Sequence, residues 1–206
     1  MGPEQAKSSL KECLTITADK AYLVSDRAFG GSDTLATSYI LSNAVRKIEE
    51  LEGKFNAIFC GKQAIDGDTA QVGPELAEHL GYPQVTCGLE AEVDGDIIKV
   101  KKEVEEGIEI IASEMPCVIT FTKPAWNLRY PTIKRKIAAS RAEIPTLGEG
   151  AFPDIDTARI GLKGSPTRVK KTFVPQKRQG GVKIMEESGR NAAKKLFQML
   201  RDANVI

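Results

Sequence analysis

Histidine and paired cysteines are almost missing from this chain. Of its 206 residues one is histidine, His79, and its four cysteines, Cys13, Cys60, Cys87 and Cys117, are isolated, with no C-x-x-C pair. So few thiolates and imidazoles argue against a zinc or iron–sulfur centre. Cys60 and Cys117 fall in apolar runs and read as small buried hydrophobes. Long hydrophobic runs are also lacking: none could span a bilayer, and the first residues show neither a signal h-region nor an acid-free, Arg-rich transit pattern. A cytoplasmic protein without membrane insertion is therefore expected. Nor is there an excess of one charge, since 29 basic residues face 28 acidic ones for a net +1, leaving no global field to recruit nucleic acid or a membrane surface. What remains, 41% hydrophobic and 28% charged residues, suffices for one well-buried domain with an appendage. The boundary is expected at 150, with an α/β core over 1–150 and an arm over 151–206.

The most informative stretch is 59–74. Residues 55–60 read as a short apolar strand, 61–72 as a turn of small and polar residues, and 75–80 as an amphipathic helix. Pro74 sits in the first turn, where its missing N–H costs nothing. Unpaired N–H groups at a helix start, reinforced by the macrodipole, attract a diphosphate. The candidate cofactor-binding residues are Gly61, Lys62, Gln63, Ala64, Ile65, Asp66, Gly67, Asp68, Thr69, Ala70, Gln71 and Val72. Asp66 and Asp68 would repel phosphate, so they are expected either to cap N–H groups of the turn or to hold ribose hydroxyls, with Thr69, Gln71, Gly67 and Gly73 nearer the phosphates. On spacing alone, an ordinary strand-to-helix turn explains the same residues.

The residues of 61–74, Gly-Lys-Gln-Ala-Ile-Asp-Gly-Asp-Thr-Ala-Gln-Val-Gly-Pro, closely resemble the signature of the electron transfer flavoprotein beta subunit. The resemblance continues through 25–37, 83–86 and 127–133 and covers nearly the whole chain. It implies a Rossmann-like parallel sheet of the adenine-nucleotide-binding type, with a β-hairpin extension and a C-terminal arm. Family members that hold a structural AMP tend to carry further acids and a Cys-Asn pair in the turn. Flavin-bifurcating members carry Asp-Gly-Asp-Thr-Ala-Gln-Val-Gly-Pro, as here at 66–74. The resemblance therefore implies FAD in the beta site, with AMP as the alternative.

Elsewhere the pattern is alternating helix and strand. An opening helix places Leu10, Cys13 and Leu14 on one face, and a strand is expected over 21–24. Asp33 and Thr34 cap a helix whose apolar positions Leu35, Tyr39, Ile40, Ala44, Ile48 and Leu51 end near Gly53. Between them, Arg27 and Gly30-Gly31 make a loop expected to be mobile enough to border a ligand, or else a plain surface loop. Strand signals at 89–93, 97–104 and 108–111, separated by Asp94-Gly95-Asp96 and Glu105-Glu106-Gly107, form a hairpin extension with one solvated face. Residues 117–121 read as a buried strand of the main sheet. A helix opening a parallel α/β unit normally follows a strand. The family has a strand–helix unit upstream of this point, so the chain is expected to be truncated there, or to have those strands supplied by another chain.

Two basic stretches remain. Lys123, Arg129, Lys134, Arg135, Lys136 and Arg141 follow one another without an acid, as do the cations from Arg159 to Lys183. Interruption by Gly and Pro, and the lack of any nucleic-acid motif, make the second an extended arm rather than a phosphate-binding surface. The resemblance implies that this arm, with a final helix over 188–200 carrying Ala192, Leu196, Phe197 and Leu200, embraces a partner alpha subunit. It also implies a recognition loop at 129–136, where Ile133 anchors an acyl-CoA dehydrogenase-type partner and Lys134, Arg135 and Lys136 steer docking. A lone isoleucine packing on a local core is the alternative. As the resemblance has it, NADH donates electrons to the heterodimer and flavin-based bifurcation sends them to the dehydrogenase and to ferredoxin or flavodoxin. No residue of this chain is then required as a catalyst.

Overall fold

The structure is a computed structural model that describes residues 1–123, 127–175 and 180–205. The chain forms two compact units, Met1–Arg168 and Val169–Ile206. In the first unit, a 3-10 turn at Glu4–Ala6 leads into helix α1, Lys7–Ile16. No residue of α1 is buried: Leu10 and Leu14 are half-covered and Cys13 faces solvent. The helix packs along α4, Ile133–Arg141, with Lys11 Nζ donating to the Ser140 carbonyl at 3.0 Å.

The strand expected over 21–24 shortens to β1, Leu23–Val24, and it does not join the main sheet. It pairs in parallel with β7, Thr146–Leu147, as a two-stranded sheet. Its carbonyl at Val24 takes the Gly2 N–H at 3.1 Å, so a non-strand segment occupies a position where a further strand would bond. Val24 and Leu147 enter a core with Phe29, Ile40, Ala44, Phe152 and Ile160.

Helix α2, Thr34–Glu52, begins as expected at Asp33, whose carboxylate accepts the Ala36 N–H at 3.1 Å, and stops at Gly53 in the left-handed φ region (+97°). The face that hydropathy marks holds in its middle, where Ile40 and Ala44 are buried and Tyr39 and Ile48 pack against the same core, but not at its ends. Ala36, Ser38, Ile40, Ser42 and Ala44 are buried, whereas Leu35 and Leu51 are 41% and 55% exposed. Small residues sit inside because α2 packs on α3, Val72–Leu80. Burying Ser38 and Ser42 is tolerated because each hydroxyl donates back to its own helix, to the carbonyls of Leu35 and Tyr39.

The main sheet has the order β2-β6-β3-β4-β5, from β2 (Ala57–Gly61), β6 (Cys117–Phe121), β3 (Gln84–Asp94), β4 (Ile97–Val104) and β5 (Gly107–Glu114). Strands β2, β6 and β3 are parallel, and β3-β4-β5 is an antiparallel meander. The strand over 117–121 is central, as its apolar run requires: Cys117, Val118, Ile119 and Thr120 are all buried. Cys117 is thus the small hydrophobe expected, while Cys60 is only half-buried. The meander turns at Asp94-Gly95-Asp96, and alternation along β4 buries Ile98 and Val100 against Val85 and Ile119. Strand β3 serves both halves. Its residues Gln84 and Val85 pair with β6, a bulge follows with Cys87 at φ +59°, and from Gly88 onward it pairs with β4.

The first unit closes with residues 151–168, which include the short helix α5, Gly161–Gly164, and bury Phe152, Ile160 and Ser165. In the second unit, Ser188 caps α6, Gly189–Asp202, by accepting the Asn191 N–H, and none of the helix is buried; Leu196 and Phe197 are 48% and 59% exposed. No helix among the described residues is long and apolar enough to cross a membrane.

Candidate functional site

The turn stands at the C-terminal ends of parallel strands β2 and β6, in front of the α3 N-terminus, the place where open α/β sheets hold ligands. Its root is a continuation of the sheet, the Lys62 N–H donating to the Phe121 carbonyl at 2.8 Å. Beyond it Gly61, Lys62, Gln63, Ala64, Ile65, Asp66, Gly67, Asp68 and Thr69 are exposed, with Ala70 half-buried. One bond closes the loop on itself, from Asp68 N–H to the Ala64 carbonyl at 3.0 Å. The Asp68 carboxylate accepts from the Gln63 side-chain amide. Neither Asp66 nor Asp68 takes a backbone N–H by its side chain among the described residues. Of the two roles expected of these carboxylates, capping is not made here, and Asp68 is instead braced by the Gln63 side chain.

The backbone then reverses hand. Asp68 and Ala70 have φ of +53° and +56°, and Gln71 returns to the right-handed region as the α3 N-cap. Such alternation turns successive N–H groups to one side. Gln71 makes no side-chain cap, and the helix ladder starts only with Glu75 N–H on the Gln71 carbonyl at 2.9 Å. The N–H groups of Val72 and Gly73 are left without an intrahelical acceptor, a chemically apt seat for phosphate oxygens. A Ser or Asp cap would have consumed one of them.

Gly73 fixes where this seat lies. It is buried against β6, and a Cβ there would overlap Thr120 Cγ2. Thr120 is itself pinned, since its Oγ1 accepts the N–H of Cys87 in the β3 bulge at 3.2 Å. In the sequence, Thr120 stands out only as one hydroxyl in an apolar strand. The half-buried Cys60 thiol beside this junction has its pKa pushed up by burial and stays protonated at neutral pH.

The loop after β1 is anchored rather than mobile. Phe29 is 4% exposed, Leu162 N–H reaches the Gly30 carbonyl at 3.1 Å, and Gly161 N–H reaches Ser32 Oγ at 3.0 Å. Asp26 accepts the N–H groups of Ala28 and Glu149, which hold its carboxyl below the usual range.

The docking candidates lie at the start of α4, away from the turn in sequence. Ile133 is 79% exposed, which excludes its packing on a local core, and Tyr130 beside it is 95% exposed. Thr132 caps the helix by accepting the Arg135 N–H at 3.2 Å. Lys134 and Lys136 are exposed, but Arg135 is half-buried and donates to the Ile16 carbonyl. Among the described residues no cluster of His, Cys, Asp and Glu could hold a metal ion.

Residues 1–149 match the family model described as "Electron transfer flavoprotein domain". The chain is 48% identical to an electron transfer flavoprotein subunit beta of Megasphaera elsdenii, over 94% of this chain and 72% of the relative. It is 42% identical to the protein of that name from Clostridium acetobutylicum, over 100% and 77%. Against the acryloyl-CoA reductase electron transfer subunit gamma of Anaerotignum propionicum the figures are 41%, 100% and 78%. An α/β sheet presenting a helix start beyond parallel strand ends defines the class of α/β proteins that hold ligands at that edge. Within that class, this chain belongs to the electron transfer flavoprotein family, among its beta subunits.

Proposed function

We propose that this chain is the nucleotide-holding beta subunit of a heterodimeric electron transfer flavoprotein of the bifurcating type, with FAD seated on residues 61–72. The observation that carries this is the uncapped α3 start behind Asp66-Gly67-Asp68-Thr69-Ala70-Gln71-Val72. Val72 and Gly73 N–H groups take the diphosphate, Thr69 and the Gly67 backbone flank it, and Asp66 is free to meet a ribose hydroxyl. The Gln63–Asp68 brace ties the two ends of the loop's tip to each other. Bound flavin would supply the electron-transfer chemistry; the protein binds and orients it, with no catalytic residue of its own. NADH is the electron donor, and an acyl-CoA dehydrogenase-type enzyme with ferredoxin or flavodoxin receives the electrons. A relative named for an acryloyl-CoA reductase complex supports that dehydrogenase class. Of the arm expected over 151–206, residues 151–168 complete the first unit, and the part from Val169 onward packs on the alpha subunit, which would cover the open Leu196 and Phe197 face of α6.

Cofactor stoichiometry of the purified heterodimer tests this reading. Two FAD per heterodimer is expected; one FAD and one AMP makes the beta site a structural nucleotide site instead. Asp68→Ala with Thr69→Ala should empty the beta site and leave the alpha-subunit flavin. Unchanged content of both nucleotides would place the site elsewhere.

A further inference from the structure

Arg129 and Arg135 converge on a single backbone oxygen. Arg129 Nε donates to the Ile16 carbonyl at 3.0 Å, with a second nitrogen of the same guanidinium on that oxygen, and an Arg135 Nη donates to it at 3.0 Å. Ile16 ends α1, where the last carbonyls lack intrahelical partners and the dipole is negative. The other Arg135 Nη lies 3.9 Å from the Asp19 carboxylate. The two arginines flank Ile133, one in the extended segment before it and one in the first turn of α4. Among the described residues, Arg129 makes the only hydrogen bonds tying 127–131 to the rest of the chain.

We propose that Arg129 and Arg135 are positioning residues that use the C-terminus of α1 as a fixed post for the exposed anchor Ile133, so that α1 serves partner recognition. This rests on the docking role of Ile133 proposed for the dehydrogenase. An isoleucine that is 79% exposed has no packing to fix its direction, so its direction is set by the backbone on either side. A steering charge must be free in solvent, and Arg135 is not: its fork spans the Ile16 carbonyl and Asp19. A lysine offers the same charge but one point of donation, and cannot reproduce that fork. The Lys11–Ser140 bond ties the far end of α4 to the same helix, so α1 braces α4 along its length.

The test uses the heterodimer reduced by dithionite and mixed with a short-chain acyl-CoA dehydrogenase, or with a small dye acceptor as a control for global damage. Arg129→Lys and Arg135→Lys should each raise the half-saturating dehydrogenase concentration by roughly tenfold, the order of one charge-assisted hydrogen bond. The rise should persist at every ionic strength, with dye reduction and cofactor content unchanged. Hydrogen exchange at the Arg135 and Lys136 amides, both held by Thr132, should quicken in the same variants. If the lysine variants match wild type while Ile133→Ala is impaired, the clamp has no positioning role and the proposal is overturned. If Ile133→Ala also matches wild type, the docking reading itself falls, and the clamp proposal with it.

Discussion

Gly73 and Thr120 meet across the seam between α3 and β6 with no room for a methyl group on the glycine. Thr120 cannot turn away, because its hydroxyl holds the Cys87 N–H in the neighbouring bulge. The helix start, the parallel strand and the bulge are thus locked through one side chain.

Gly73→Ala should therefore cost ~1–3 kcal/mol, the usual range for overpacking, and displace the α3 N-terminus enough to lower beta-site nucleotide content. Thr120→Ser removes the obstructing Cγ2 and keeps the hydroxyl. The double variant Gly73→Ala/Thr120→Ser should recover most of the loss in thermal stability and in nucleotide per heterodimer. A double variant no better than Gly73→Ala would show that the contact is not what forbids a side chain there.

Asp33 gives a pH signature. Burial raises its pKa, but hydrogen bonds from Thr167 N–H, Ala36 N–H and Thr167 Oγ1 outweigh it and leave the carboxyl below its usual value. A depressed folded-state pKa contributes stability above the unfolded value, near 4, and that contribution is lost as pH falls through the folded value. Asp33→Asn keeps an acceptor for Ala36 but sets an NH2 against the Thr167 donors. It should destabilise by ~1–2 kcal/mol at pH 7, and the gap should close below about pH 4. Urea midpoints across pH would measure this; a gap constant down to pH 3 would contradict it.

At the docking end, Ile133 and the free lysines should differ in kind. Ile133→Ala should weaken transfer to the dehydrogenase by roughly tenfold to a hundredfold at all ionic strengths, the worth of ~1.5–3 kcal/mol from a fully buried aliphatic side chain. Lys134→Gln with Lys136→Gln should slow transfer chiefly at low salt, since charges more than ~10 Å apart are screened at 0.1 M. Stopped-flow rates over a salt series separate the two; identical salt profiles would refute the division of roles.

Much of the scaffold was legible in the sequence because local chemistry decided it. Asp33 and Gly53 bracket α2, Asp94-Gly95-Asp96 turns the meander, and the unbroken apolar run at 117–121 requires a central strand. The candidate turn was legible by its residue types and by resemblance, yet its internal brace was not. What stayed hidden depends on partners far along the chain. Arg135 looked like a solvent charge because its acceptor, Ile16, lies 119 residues away. Ala36, Ser38 and Ser42 displaced Leu35 from the core because close helix contact selects small side chains, which hydropathy does not weigh. Strand β1 pairs with β7, 123 residues away in sequence, a partner that local pattern does not name.

Strand β3 changes register at the Cys87 bulge, so its first residues follow β6 and its later residues follow β4. On one side, Val85 pairs with Ile119, and Ile119 pairs in turn with Phe59 of β2, the strand that leads into the candidate turn. On the other, the meander sets its own register through tight turns. Paired additions or losses at the meander tips can alter how far that limb reaches without rethreading the nucleotide end, so its length is open to variation between relatives at little cost to the fold.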